Sequence, residues 1–299
     1  MKIGYPCINL SLECRSSKTF RLKNYSKEKL IETVDGNLRC LFEILEYNNS
    51  HNLLFFRITS DLIPFGSHPI LNFDWQNYFK ENFRTIGKFI KQKNMRISMH
   101  PGQYTVLNSK NQNVFENSIK DLEYHVDVLD LLELNRTAKV QIHVGGVYKD
   151  KKGSLERFKN RYLNLDERIK NRLIIENDDK SYNLNDCLDI YYSTGIPIVF
   201  DVYHHECNPS GKSLIESFKL FTKTWEIEDG KPIVHYSSEH LIKGKSKHAD
   251  TIDLNNFKKF FQTTKDFDFD IMLEIKDKEN SALKALKILT NDSRFNTNL

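Results

Sequence analysis

The sequence predicts an α/β fold, a single (β/α)8 TIM barrel, and three features predict it. Eight short apolar runs alternate with longer amphipathic segments, no linker interrupts the alternation, and six consecutive runs carry a polar residue at or near their end. The runs are KIGYPC (2–7), LLFFRI (53–58), RISMH (96–100), KVQIHV (139–144), RLIIEN (172–177), PIVFDV (197–202), PIVHYS (232–237) and FDIMLEI (269–275). They are short and almost continuously apolar, as parallel strands covered on both faces must be. Alternating β and α elements imply a parallel sheet with right-handed crossovers, and eight such units close best into a barrel.

The intervening segments have helical period. After Ser26, an N-cap type of residue, apolar side chains fall at Leu30, Val34, Leu38, Leu41 and Leu45. After Asp74 the stripe is Phe79, Phe83, Ile86 and Ile90, and the next runs through Phe115, Ile119, Leu122, Val126, Leu129 and Leu132. Shorter helices are predicted around 154–168, 183–194, 212–223, 253–263 and 279–290. Residues 8–25, 59–73 and 238–252 depart from the alternation and read as long irregular loops. Such loops after barrel strands belong to the active face.

The chain has 299 residues with 39% hydrophobic and 12% aromatic content, enough for one large barrel, and it reads as one domain over 1–299. No apolar stretch approaches the roughly 20 residues that span a bilayer, and the amino terminus lacks a secretory leader pattern. A cytoplasmic protein with no membrane contact is the expectation. Five cysteines (Cys7, Cys14, Cys40, Cys187, Cys207) form no C-x-x-C pair and are an odd number, which predicts reduced thiols rather than a disulfide framework or a cysteine zinc site. A net charge of +4 permits a polyanionic partner without demonstrating one.

The strand ends carry the chemistry. The third to eighth runs place His100, His143, Glu176, Asp201, His235 and Glu274 at or near their ends. The five steps from His100 to Glu274 average about 35 residues, one strand–helix unit each, so every residue returns to the same rim. One polar residue at a strand end is ordinarily structural. Three carboxylates and three imidazoles in succession would be costly to bury without cations. Divalent ions remove that cost, and mixed imidazole and carboxylate ligation suits Zn2+ or Mn2+, or iron, better than an all-oxygen site. The expectation is a metal cluster at the C-terminal face. His204, His248 and His68 fall in loops close by; His205 is expected to point elsewhere, and His51, His125 and His240 to be exposed or structural.

Eight segments in order carry a further likeness: GYPCINLSL, FRITSDLIPFGSHP, SMHPGQY, HVGGVYKDK, IENDD, FDVYHHECNP, VHYSS and LEIKDKE. On these the chain resembles the UV damage endonucleases, metal-dependent DNA repair enzymes related in fold to endonuclease IV-type apurinic-site nucleases. The resemblance implies up to three metal ions, Mn2+ first, with Zn2+ or Mg2+ as alternatives. One would be held by His100, His143 and Glu176, a second by Glu176, Asp201, His235 and Glu274, and a third by His204 and His248. It implies catalytic roles for Glu176 as the bridge and for His68 beside the scissile phosphate. Gln103 and Tyr104 resemble a probe wedged into the duplex, and Tyr5 and Asn9 resemble residues that face the damaged bases. Some relatives carry a lysine two residues before the strand-seven His; here Ile233 stands there, and Lys231 or a loop lysine would have to replace it.

The implied partner is damaged double-stranded DNA and the implied enzyme a monomer. It would cut immediately 5′ of a UV photoproduct, leaving a 3′-hydroxyl and a 5′-phosphate. Lys149, Lys151, Lys152, Lys243, Lys245 and Lys247 are candidates for phosphate contact. Two other readings stay open: a xylose isomerase-like sugar isomerase or epimerase on the same fold, and an abasic-site endonuclease without preference for UV lesions.

Overall fold

Short buried strands alternate with amphipathic helices throughout the computed structural model, which describes residues 1–240, 244–290 and 292–295. The strands are β1 (Ile3–Pro6), β2 (Phe55–Ile58), β3 (Arg96–Met99), β4 (Lys139–His143), β5 (Leu173–Glu176), β6 (Ile198–Asp201), β7 (Ile233–Tyr236), β8 (Glu239–His240), β9 (Gly244–His248) and β10 (Asp270–Leu273). All but β8 and β9 pair in parallel and close into a barrel in chain order, with β10 returning to β1. Each is one to three residues shorter than its apolar run, so His100 and Glu274 are the first residues beyond β3 and β10.

Alternation along the strands stacks the barrel interior in layers. Phe55, Ile174, Val199, Ile233 and Met272 form a small apolar cluster separate from the outer core. Two residues further along the same strands stand Arg57, Glu176, Asp201, His235 and Glu274. The barrel therefore has an apolar floor with a polar layer above it, at the C-terminal ends of the strands. Opposite-parity side chains point outward and pack on the helices.

The helices are α1 (Lys27–Ser50), α2 (Trp75–Tyr78), α3 (Lys80–Gln92), α4 (Gln112–Leu131), α5 (Lys151–Leu163), α6 (Glu167–Lys170), α7 (Leu184–Thr194), α8 (Val202–Cys207), α9 (Leu214–Phe221), α10 (Leu254–Thr263) and α11 (Glu279–Leu289). Ser26 caps α1 by accepting from the Lys29 amide, and the predicted stripe Leu30, Val34, Leu38, Leu41 and Leu45 is its buried face. Burying one such Leu contributes about 1.5–3 kcal/mol. The helix predicted around 154–168 starts earlier, at the Asp150 cap, and divides, because the Asp166 side chain accepts from the Arg168 amide and starts α6 afresh. The stripe after Asp74 divides likewise at Phe79, between α2 and α3.

Two expectations are corrected. The 238–252 stretch is not irregular throughout: β8 and β9 pair antiparallel, with Glu239 opposite His248. Its polar run GKSKH shows no apolar alternation, so nothing in the pattern announces a strand. The cysteines are not all reduced. Cys14 and Cys40 form a disulfide, their Cα atoms 5.6 Å apart across 26 positions, tying the loop after β1 to α1. Folding, not spacing, brings them together, and the pair removes the support that free thiols lent to a cytoplasmic setting. Cys7, Cys187 and Cys207 are free. Among the described residues no helix is long and apolar enough to cross a membrane.

Candidate metal centre

Strand register assembles the polar layer. His143 on β4 lies beside Glu176 on β5, and Asp201 on β6 lies beside His235 on β7. The resulting ligand atoms fall into two groups, His100–His143–Glu176 and Glu176–Asp201–His235–Glu274, each spanning less than 4.8 Å. Glu176 belongs to both. Its Oε2 faces His100 Nε2 at 3.8 Å and His143 Nε2 at 4.0 Å, whereas its Oε1 faces His235 Nδ1 at 3.1 Å. His235 Nδ1 also lies 3.2 Å from Glu274 Oε1 and 4.0 Å from Asp201 Oδ2. Donors bound at about 2.1 Å around one ion stand roughly 3–3.5 Å apart, so the second group in particular has the spacing of a cation site.

His204 reaches the layer by a local device. The Asp201 carboxylate accepts from the His204 amide at 2.6 Å and caps α8, which starts the helix directly at the strand end. That turn brings His204 Nδ1 to 3.4 Å from Glu176 Oε1. His248 arrives on β9, with Nε2 3.7 Å from Glu274 Oε2. The His204 and His248 rings are 6.1 Å apart. They flank the second group and form no three-ligand group of their own among the described residues.

The electrostatics of the layer call for a cation. Glu176, Asp201 and His235 are at most 1% exposed, and the Asp201 Oδ2 atom is buried without a hydrogen-bond partner. Such an orphaned acceptor is costly unless something binds it. Burial favours the protonated form of Glu176, yet His235 and His143 outweigh it and hold this carboxyl well below the usual range. Burial is likewise outweighed at Glu274 by Arg57 and His235, which lower it. Asp201 is pushed up by burial despite His204. Burial, Arg57 and His143 drive His100 down to about 3, which keeps its imidazole neutral and its lone pair free. His204 goes the other way, up to about 11, because Asp201 and Glu176 outweigh its burial. Carboxylates and imidazoles are the donor set that divalent metal ions take, and an ion bound by His204 would displace its proton.

Two members of the layer escaped the sequence reading. Arg57 on β2 is 5% exposed and pairs with Glu274 Oε1 at 2.6 Å. It also donates to His235 Nε2 at 2.9 Å and to Gln141 Oε1 at 3.2 Å. Gln141 in turn donates to Glu176 Oε2 at 2.9 Å. Outer partners of this kind fix the orientation of metal ligands. Strand parity carried the signal: Arg57 sits two residues after Phe55, and Gln141 two before His143.

The remaining candidates divide. Gln103 and Tyr104 are exposed beside the cluster, Tyr104 by 66%. His68 is exposed on the loop after β2, its Nδ1 accepting from the Ile70 amide at 3.0 Å, and it makes no described contact with the metal ligands. Tyr5 and Asn9 do not face outward as expected. Both are buried, with Asn9 donating to the Tyr5 hydroxyl at 2.8 Å and that hydroxyl donating to Asn48 at 2.6 Å. Tyr5 follows Gly4 on β1 with the parity that points at α1. Lys231 cannot replace the pocket lysine, since it pairs with Asp268 at 2.6 Å before the start of β7, at the other end of the barrel. Ile233 belongs to the apolar floor. His205 packs at a tilt against Phe200, ring centres 5.1 Å apart, and His125 is buried, within hydrogen-bond reach of Ser60 Oγ. Lys151 pairs with Asp186, and Lys149 and Lys152 are exposed. Lys243 and the side chains of His240 and Lys245 lie outside the described residues.

Known proteins resemble this chain along nearly its whole length. The profile described as UV-endonuclease UvdE matches residues 1–297. A UV DNA damage endonuclease of Clostridium perfringens is 44% identical over 291 residues, 97% of this chain and 71% of that protein. The crystal structure of SacUVDE superposes with a TM-score of 0.94 at 42% identity, covering 99% of this chain and all of the other. Endonuclease IV from Thermus thermophilus shares the fold, with a TM-score of 0.61 at 15% identity over 96% and 97% of the two chains. The chain belongs to the UV-endonuclease UvdE family and is an endonuclease.

Proposed function

We propose that this chain nicks damaged duplex DNA immediately 5′ of UV photoproducts by metal-dependent hydrolysis of the phosphodiester, leaving a 3′-hydroxyl and a 5′-phosphate. The observation that carries the reading is the convergence of two ligand groups on the two oxygens of Glu176, at the rim of the barrel. His100, His143 and Glu176 would hold one ion and Glu176, Asp201, His235 and Glu274 a second. His204 and His248 would supply ligands to a third. Mn2+ suits the mixed donors best, with Zn2+ or Mg2+ as alternatives. Bound ions would acidify water and neutralise charge that grows on the phosphoryl oxygens.

The chain's own groups do the rest. Arg57 and Gln141 hold His235, Glu274 and Glu176 in place. His68, whose Nδ1 accepts from the Ile70 amide, would offer its Nε2 to a bound phosphate. Gln103 and Tyr104, exposed beside His100, fill the gap left where crosslinked bases unstack, and such bases cost less to flip than intact ones. Exposed Lys149, Lys152 and Lys247 contact the backbone. The chain acts as a monomer in this reading. Family membership removes the sugar isomerase alternative.

The test is nicking of supercoiled plasmid that is UV-irradiated, depurinated or untreated, with Mn2+ and then with chelator. Cutting of the irradiated plasmid alone, lost with chelator, is the expected result. Equal cutting of irradiated and untreated plasmid removes the lesion claim, and cutting of only depurinated plasmid makes the chain an abasic-site nuclease.

A further inference from the structure

We propose that Tyr148 is a second base-stacking residue on the DNA-facing rim, built in the same way as Tyr104 and held in one unit with it; this rests on the DNA-nicking reading above. The two tyrosines lie in the loops that follow adjacent strands, shortly after His100 and His143. Each ring folds back over the glycine two residues before it. A Cβ on Gly102 would stand 2.3 Å from the Tyr104 ring, and one on Gly146 would stand 2.8 Å from the Tyr148 ring. Any side chain at either glycine would push the ring out of place.

The loops are fastened to each other. Asn108, in the loop of Tyr104, accepts from the Gly146 amide at 3.1 Å and donates to the Gly146 carbonyl at 2.9 Å. The Tyr182 hydroxyl donates to the same carbonyl at 2.9 Å. Ser154 holds the neighbouring Val147 carbonyl at 2.8 Å, and the Arg157 guanidinium sits 5.6 Å from the Tyr148 ring centre. Tyr148 and Lys149 are nevertheless both left-handed, with φ of 51° and 61°. Two successive non-glycine residues adopt that backbone only where their surroundings impose it, and such strain gathers at functional sites. What the strain achieves here is a ring 37% exposed in the loop that leaves His143, on a scaffold with little freedom to move. Exposed Lys110 donates to the Tyr148 carbonyl at 3.4 Å, and Lys149 and Lys152 lie exposed within four residues of it, which fits a polyanion. A rigid exposed aromatic among cations is the equipment for stacking on a nucleobase, whose π-face it takes without regard to sequence.

The experiment compares Tyr148→Asn with Tyr148→Phe in the full chain. Asparagine tolerates left-handed backbone, so it removes the ring without adding strain. Binding is measured by fluorescence anisotropy, with Mn2+ supplied, to a duplex carrying one cyclobutane pyrimidine dimer and a non-cleavable linkage at the cut position, and to the same duplex intact. We expect Tyr148→Asn to weaken binding to the lesion duplex about 5- to 150-fold, the range that loss of one base–ring stack produces. Tyr148→Phe should stay within about twofold of wild type, with melting temperature and Mn2+ uptake unchanged in both variants. Wild-type binding by Tyr148→Asn would overturn the proposal, as would an equal loss in Tyr148→Phe, which would place the effect on the hydroxyl. If the wild type itself fails to prefer the lesion duplex, the lesion reading falls and this inference falls with it.

Discussion

The two mouths of the barrel are built from the same residue types and behave as opposites. At the N-terminal mouth, Arg96, Lys139, Asp229 and Asp270 are all buried, and every ion finds a partner. Arg96 donates to Asp270 at 2.7 Å, Lys139 to Asp229 at 2.5 Å and Arg136 to Asp229 at 2.7 Å. At the C-terminal mouth, Arg57 pairs with Glu274 alone, while Glu176 and Asp201 have no guanidinium or ammonium partner among the described residues and face imidazoles instead. Cavity size misleads about which mouth matters. The opening of about 570 Å3 is at the N-terminal mouth, lined by Lys2, Asn94, Arg96, Lys231 and Asp270 among others. Its cations are already satisfied: Lys2 donates to Asn94, and Lys231 pairs with Asp268. Buried charge that is fully paired is structure; buried charge left short of partners is a site.

Mutations at the two ends should separate these roles. The largest effect belongs to Glu176→Ala, which removes the residue common to both ligand groups. Nicking of irradiated plasmid should fall by at least about 10³-fold, while far-UV circular dichroism keeps the wild-type signal. Lys139→Met at the opposite mouth should do the reverse. It leaves Asp229 with Arg136 as its remaining ionic partner, so denaturant unfolding should show a loss of about 3 kcal/mol, with activity per folded molecule unchanged. A drop in that activity would break the division between the mouths.

Smaller effects sharpen it. Gln141→Leu removes the donor on Glu176 Oε2 and should weaken Mn2+ binding about 10-fold by calorimetry, the low end for loss of an outer partner. The last effect is on pH. In the metal-free chain His204, raised to about 11, is protonated throughout the neutral range. An ion that takes this imidazole must displace its proton, so affinity rises with pH, by about tenfold per unit between pH 6 and 8. In His204→Gln that component of the slope should vanish; an unchanged slope would mean His204 is no ligand.

Much of this was legible in the chain itself, and the exceptions have physical reasons. His100, His143, Glu176, Asp201, His235 and Glu274 could be read because the strand–helix period returns each to one rim. Arg57 and Gln141 followed from the same geometry by parity, but a polar residue inside an apolar run carries no sign of which wall it faces until the floor residues are known. Tyr5 and Asn9 were misplaced because a motif shows which residues recur, not which way their side chains turn. The Cys14–Cys40 pair could not be read at all, since contact between a loop and a helix 26 positions away depends on the fold. The α8 turn lay between these cases: Asp201 three residues before His204 has cap spacing, yet Asp201 already had a role as a strand-end ligand.

The central claim is that the deficit of partners at the C-terminal mouth is a divalent metal centre joined through Glu176. Its most direct test is metal counting on chelator-stripped protein equilibrated with Mn2+, wild type beside Glu176→Ala. The account predicts at least two ions per wild-type chain, and loss of tight binding at both groups in the variant. Retention of the full complement by Glu176→Ala, or no tight binding by the wild type, would contradict it.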